Sequence, residues 1–112
     1  MTLRQAQAYW LTVTSCLVEF YGVDPDEASL KVNGVLSRLK EDEDFHPTND
    51  LVYHAEPIHI AADLMGREVE RTEAFYKTYR QLEQRNLKLA TKVSIRRQQA
   101  SLLQIPLPSE AA

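Results

Sequence analysis

What this chain contains little of excludes several classes of protein. It has one cysteine and three isolated glycines among its 112 residues. A single cysteine cannot form an intramolecular disulfide, so the fold is not disulfide-stapled, and we expect a reducing, cytoplasmic location. Cys16 lies among apolar residues with no base nearby, which predicts a small buried hydrophobe rather than a nucleophile. Gly-rich phosphate loops and the Walker, GxSxG and CxxC patterns are absent, and we expect no cofactor.

Long apolar runs are also missing. No stretch approaches the roughly 20 apolar residues that cross a bilayer, so we expect no membrane-spanning helix. The nearest candidate covers residues 8–18, but Thr12 and Thr14 interrupt it and only Arg4 precedes it as a base. A secretory leader has a charged start and an unbroken apolar centre, so this run predicts a helix of the core.

Length and composition predict one ordinary domain. Domains of about 100–150 residues are the commonest size, and 44% hydrophobic with 26% charged residues is typical of a globular protein. We predict a single helical domain over residues 1–104 and a disordered tail over residues 105–112, because prolines break the helical pattern there.

Caps and apolar spacing predict the first two helices. Thr2 is a suitable N-cap, and apolar residues then recur every three or four positions until Gly22. Asp24 can accept hydrogen bonds from first-turn amides, and Pro25 has φ fixed for the first helical position. Inside the second helix Gly34 costs about 1 kcal/mol against alanine, so we expect another backbone to approach it. The predicted core comprises Trp10, Val13, Leu17, Phe20, Val32, Val35 and Leu39.

The second half of the chain predicts one short and one long helix. Asp50 can cap a turn over residues 51–54, Pro57 begins a third helix and Gly66 closes it. No proline or glycine interrupts residues 67–104, which predicts a fourth helix there. The predicted fold class is all-α: a small four-helix domain of three shorter helices packed together and a long fourth helix extending beyond them.

A heptad-like register runs along the predicted fourth helix. Its positions step by 4-3-4-3-4, and a buried asparagine in such a register fixes the alignment and number of strands in coiled coils. Alternatively, only the first half of the helix packs on its own bundle and Asn86 marks where it leaves the core. Either way the long fourth helix extends beyond the three shorter ones, and an overhanging amphipathic helix favours a partner. We therefore predict a non-enzymatic protein-binding or adaptor module whose fourth helix binds another protein or a second copy of the chain as a homodimer. The predicted partner-binding residues are Phe75, Tyr79, Leu82, Asn86, Leu89 and Val93.

The charges are divided unevenly along the chain. Residues 19–73 contain 14 acids and five bases, whereas residues 77–97 contain seven bases and one acid. A basic stripe on a helix suits phosphate contact, which makes a nucleic-acid-associated regulator the alternative function. The pI near 5.6 argues against general nucleic-acid binding, since dedicated binders are basic overall. The candidate phosphate-binding residues are Lys77, Arg85, Lys88, Lys92 and Arg96.

A cluster of histidines and acids gives a third function, a small metal-dependent hydrolase. On a helix that begins at Pro57, His59 and Asp63 are four residues apart and point the same way. His54 and Glu56 lie just upstream, close enough in sequence to add a ligand. No HExxH pattern is present, and Glu56 also suits the positive end of the helix dipole. We favour structural or surface roles for all four residues and expect no bound metal.

Overall fold

The protein is all-helical over the residues that the structure describes, as the sequence predicts. This computed structural model describes the backbone of residues 1–97 and the side chains of residues 1–90. The predicted tail and the last part of the predicted fourth helix lie outside the described residues. Within them, no helix has the length and apolar content needed to cross a membrane. The elements are α1 (Leu3–Tyr21), α2 (Pro25–Lys40), a 3₁₀ turn (Leu51–His54), α3 (Pro57–Met65) and α4 (Glu73–Arg97).

α1 is the central helix, because α2, α3 and α4 all make their main contacts with it. It begins with a capping box between Thr2 and Gln5, and it ends at Gly22, which adopts a left-handed φ of 69°. Three neighbours cover α1 on several sides, so its buried residues are not restricted to one stripe. The predicted core residues Trp10 and Leu17 are fully buried within it.

α2 contributes a narrower face to the core than the sequence predicts. The Asp24 carboxylate accepts from the backbone amides of its first turn, as predicted, and Val32 is fully buried. Leu36 is also buried, whereas Val35 and Leu39 are half-buried and pack at the edge of the core. Phe20 of α1, also predicted to be a core residue, is half-buried as well. The expectation for Gly34 is wrong: it is exposed, and a Cβ built there would meet nothing within 4 Å.

α4 begins at Glu73, six residues later than predicted. The Thr72 hydroxyl accepts from the Phe75 amide at 3.0 Å and acts as the helix cap. The preceding connection is held against α1, because the Tyr21 hydroxyl donates to the Arg67 carbonyl at 2.7 Å. The Arg67 guanidinium also lies 4.7 Å from the centre of the Tyr21 ring. The sequence did not indicate this connection, since no proline or second glycine separates it from the helix.

Aromatic side chains of α1 hold the loop between α2 and α3. The Tyr53 hydroxyl accepts from the Trp10 indole at 3.0 Å and donates to the Pro47 carbonyl at 2.6 Å. The Tyr9 hydroxyl donates to the Ala55 carbonyl at 2.8 Å, and its ring meets that of Tyr53 edge-on. The loop that leads into α3 is therefore attached to the centre of the fold.

Candidate functional site

The candidate site is the exposed side of α4, opposite the residues that are buried against α1, and we call it the outward face. Arg85 lies at its edge, where its side chain still reaches α1. The members of this face are all exposed. At 3.6 residues per turn they fall within an arc of about 140°. Residues on such an arc present their side chains together to whatever approaches the helix. The outward face comprises Lys77, Arg80, Gln81, Gln84, Arg85 and Lys88.

The predicted partner-binding register lies on the opposite side of α4. Phe75, Tyr79 and Leu82 are 4–5% exposed, and Leu89 is half-buried. Phe75 stacks on Tyr79 with ring centres 5.5 Å apart and belongs with it to the core cluster that includes α1. The heptad spacing is explained by packing of α4 on the chain's own α1. A partner that approaches α4 from solvent meets the outward face instead. Among the predicted residues, the Val93 side chain lies outside those described.

Asn86 is a buried polar contact between α4 and α1. It is 2% exposed, and its amide donates to the Thr12 hydroxyl at 3.2 Å and to the Ser15 hydroxyl at 3.0 Å. Each hydroxyl also donates to a carbonyl one turn earlier in α1, which leaves its lone pairs to accept from Asn86. Ala90, one turn further along α4, is fully buried. Asn86 therefore does not mark the point where α4 leaves the core.

The members of the predicted basic stripe are exposed in the part of α4 whose side chains are described. Lys77, Arg85 and Lys88 lie on the outward face, while the side chains of Lys92 and Arg96 are outside the described residues. Sequence reasoning missed Arg80, which is about 60° from Lys77 on the other side of the stripe. A helical wheel would have found it.

In the described part of the chain, no carboxylate lies within ion-pair distance of the bases of the outward face, although the charge of Arg80 acts on the nearby Glu83 carboxylate. The ion pairs there join Lys31 with Glu27 at 4.0 Å and Arg71 with Glu68 at 3.4 Å. Arg85 donates to the Ser15 hydroxyl at 3.3 Å, a neutral acceptor. The outward face therefore combines positive charge with unused hydrogen-bond donors.

The surface around these bases is open. Two shallow depressions follow the helix, both lined mainly by members of the outward face. Leu89 forms one edge of the first, and Tyr76, which is 38% exposed, forms an edge of the second. Small-molecule sites are usually enclosed and mostly apolar, so these shallow polar depressions suit a macromolecular surface better.

The histidine cluster is not assembled into a ligand set. His54, Glu56, His59 and Asp63 are all exposed. Over residues 1–90, no three His, Cys, Asp or Glu side chains are grouped so that they could hold a metal ion. His59 and Asp63 share a face of α3 as predicted, but two ligands are fewer than zinc sites use.

Cys16 is buried at the centre of α1, as predicted. Burial, and after it the nearby Glu83 carboxylate, raise the pKa of its thiol to about 12 against the opposing charge of Arg71. Burial also raises the pKa of Glu83, repulsion from Glu56 adds to the effect, and the charge of Arg80 opposes both. Because a thiol is nucleophilic only when ionised, Cys16 is inert near neutral pH.

Comparison with known proteins finds no family model, no characterised protein and no solved structure that matches the chain. Its function is therefore inferred from its own residues.

Proposed function

We propose that the protein is a non-enzymatic helical interaction module that binds an acidic protein surface through the outward face of α4. The observation that carries the proposal is the set of four exposed bases on one face of one helix, in a chain whose net charge is −3. We place the module in the cytoplasm, where a lone thiol such as Cys16 stays reduced.

The pattern of side chains on this face suits carboxylate partners. Lys77, Gln81 and Arg85 form one row four residues apart, and a second row runs from Arg80 to Lys88 with glutamine between them. Arginine binds a carboxylate through two parallel hydrogen bonds, and lysine adds a point charge. The intervening glutamines can donate to and accept from peptide groups. The face can therefore bind both the side chains and the backbone of an acidic segment.

The scaffold presents this face in a fixed position. The opposite side of α4 is buried through Phe75, Tyr79 and Leu82, and Asn86 fixes its alignment on α1. A surface that is already ordered loses less conformational entropy when it binds. The rigid core side of α4 thus supports recognition on its outward side.

The same bases would also contact phosphates, which is the basis of the alternative nucleic-acid function. Two features favour protein over nucleic acid. The exposed Glu73 carboxylate lies on the same arc one turn before Lys77, and Glu83 lies about 60° beyond Arg80. The whole chain is also acidic, with a pI near 5.6. Both repel a polyanion that extends past the four bases, whereas a short acidic segment would meet the bases alone.

Fluorescence anisotropy can test the proposal with two labelled probes, a short poly-glutamate peptide and a DNA duplex. We expect the peptide to bind in about 50 mM salt and to be released as salt rises, because screening weakens exposed charge pairs. The double variant Lys77→Glu with Lys88→Glu should weaken peptide binding by about tenfold or more. The control variant Arg4→Glu with Lys31→Glu changes the net charge equally at positions outside the outward face, and should bind within about twofold of the wild type.

Two results would overturn the proposal. One is a peptide that fails to bind at low salt. The other is a DNA duplex that binds more tightly than the peptide and loses its affinity in the Lys77 and Lys88 variant, which would establish the nucleic-acid function instead.

A further inference from the structure

The chain has an acidic counterpart to the outward face. Glu41, Asp42, Glu43 and Asp44 follow α2 directly and are all exposed; we call them the acidic turn. Unpaired carbonyls give the end of a helix partial negative charge, so acids are unfavourable there. Arg38 and Lys40 in the last turn of α2 offset part of this charge. The turn is therefore a concentrated negative site that its own helix does not stabilise.

The acidic turn is held in one shape. The Asp42 carboxylate accepts from the Asp44 amide at 2.9 Å, and the Asp42 carbonyl accepts from the Phe45 amide at 3.1 Å. Leu39 on one side and Phe45 on the other pack against the core. The four carboxylates are thus displayed on an anchored turn, which reduces the entropy lost on binding.

A single chain does not bring the two charged surfaces together. α2 and α4 each make their main contacts with α1 rather than with each other. The ion pairs found among the described residues, Lys31 with Glu27 and Arg71 with Glu68, involve neither the acidic turn nor the outward face. The opposite charges of one molecule remain available to a second.

The lengths of the two surfaces show how they would meet. Lys77 and Lys88 are separated by about 16 Å along the α4 axis, at 1.5 Å per residue. The acidic turn is shorter, because the Asp42 carbonyl accepts from the Phe45 amide and a turn closed in this way spans less than about 7 Å. It would therefore lie between the two lysines, whose long side chains would reach toward it from either end. In a two-fold dimer each outward face would receive the partner's turn, so the same contact would form twice and the assembly would close.

We infer that the acidic partner of the outward face is a second copy of this chain, whose Glu41–Asp44 turn docks against Lys77, Arg80, Arg85 and Lys88. This inference rests on the proposed function of that face. It adds the identity of the partner and the segment that the face recognises.

A charge-swap experiment tests the inference by sedimentation velocity. The wild type should form a dimer at high micromolar concentration in about 50 mM salt and dissociate in about 500 mM salt. Lys77→Glu with Lys88→Glu, and separately Glu41→Lys with Glu43→Lys, should each weaken association by about tenfold or more. An equimolar mixture of the two variants should associate again, because each reversed face then meets a reversed turn. Circular dichroism checks that both variants keep their helicity, and Arg4→Glu with Lys31→Glu should dimerise like the wild type.

The outcomes separate this inference from the proposed function. A wild type that stays monomeric at low salt overturns self-association, and the proposed function survives if that monomer still binds poly-glutamate. A dimer that neither double variant weakens would show that the acidic turn does not dock on the outward face. A mixture of the two variants that stays monomeric would show the same.

Discussion

The side-chain amide of Asn86 donates to the hydroxyl of Ser15 across 3.0 Å, inside the buried contact between the fourth and first helices. Around this contact the two helices meet mainly through apolar side chains, which pack in several alignments at similar cost. A polar pair in such a surface is satisfied in only one of them. Sliding α4 by one turn would leave the amide buried without its acceptors, so this contact favours a single alignment.

Replacing Asn86 with alanine should lower the free energy of unfolding by about 1–3 kcal/mol, because the hydroxyls of Ser15 and Thr12 lose a buried donor. Urea denaturation measures the change. Gln84→Ala is the matched control, since Gln84 is exposed on the same helix and should shift stability by no more than about 0.5 kcal/mol. Equal losses in the two variants would show that the buried amide contributes nothing specific.

Tyr53→Phe should destabilise the protein by about 1–3 kcal/mol, since the variant leaves the Trp10 indole and the Pro47 carbonyl without their shared partner. The intrinsic fluorescence of the single tryptophan should change together with stability, because the lost hydroxyl contacts that ring. Tyr76→Phe is the control, as Tyr76 is partly exposed. Unchanged emission in Tyr53→Phe would argue against the contact.

The free energy of unfolding should fall at alkaline pH because of Cys16. Burial, and after it the Glu83 carboxylate, raise the pKa of its thiol from 9.0 to about 12, while the charge of Arg71 opposes them. Below pH 9.0 the thiol is neutral in both folded and unfolded states, so it adds no pH dependence there. Between those two values only the unfolded chain ionises the thiol, and unfolding becomes easier by at most about 1.4 kcal/mol per pH unit.

Urea denaturation at about pH 8 and about pH 10 measures this loss of stability. Burial also raises the pKa of Tyr9 and Tyr79, so part of the fall remains without the thiol. Cys16→Ala should therefore show a smaller fall than the wild type. A fall of the same size in both proteins would contradict the assignment to Cys16.

Metal should not stabilise the protein. His59 and Asp63 share an exposed face of α3, and the described residues add no third ligand to them. EDTA and added Zn²⁺ should both leave the melting temperature unchanged. Zinc present at about a hundred times the dissociation constant of a real site would raise the free energy of unfolding by about 2.7 kcal/mol. The melting temperature would then rise by several degrees. A zinc-dependent rise in melting temperature that disappears in His59→Ala would support the hydrolase hypothesis instead.

Local signals in the sequence were sufficient to predict how most helices begin and end. Thr2, Asp24 and Asp50 cap as predicted, and Gly22 and Gly66 close their helices at φ 69°. Each of these contacts joins residues a few positions apart, so neighbouring sequence carries the information. The start of α4 was missed because Thr72 is a cap without a proline or glycine beside it.

The tertiary contacts could not be predicted in the same way. Heptad spacing showed that one face of α4 is buried, but such spacing does not say whether the covering helix belongs to the same chain. The link between Trp10 and Tyr53 spans 43 residues, and no local pattern encodes it. The basic side of the candidate site was predictable, since charge on an exposed helix face needs no distant partner. The acidic turn was visible in the sequence only as a run of carboxylates at the C-terminal end of α2, where negative charge is unfavourable.

The central position of α1 has a consequence for synthesis on the ribosome. Thr12 and Asn86, which meet in the core, are 74 residues apart along the chain. α1 therefore emerges well before α4, and the apolar residues of α1 that will pack against α4 remain exposed to water until α4 has been made. Such a nascent chain is prone to aggregate and is a natural client for chaperones. We expect a fragment that ends at Gly66 to bind a hydrophobic dye strongly and to lack the near-ultraviolet circular dichroism of Trp10 in the whole protein.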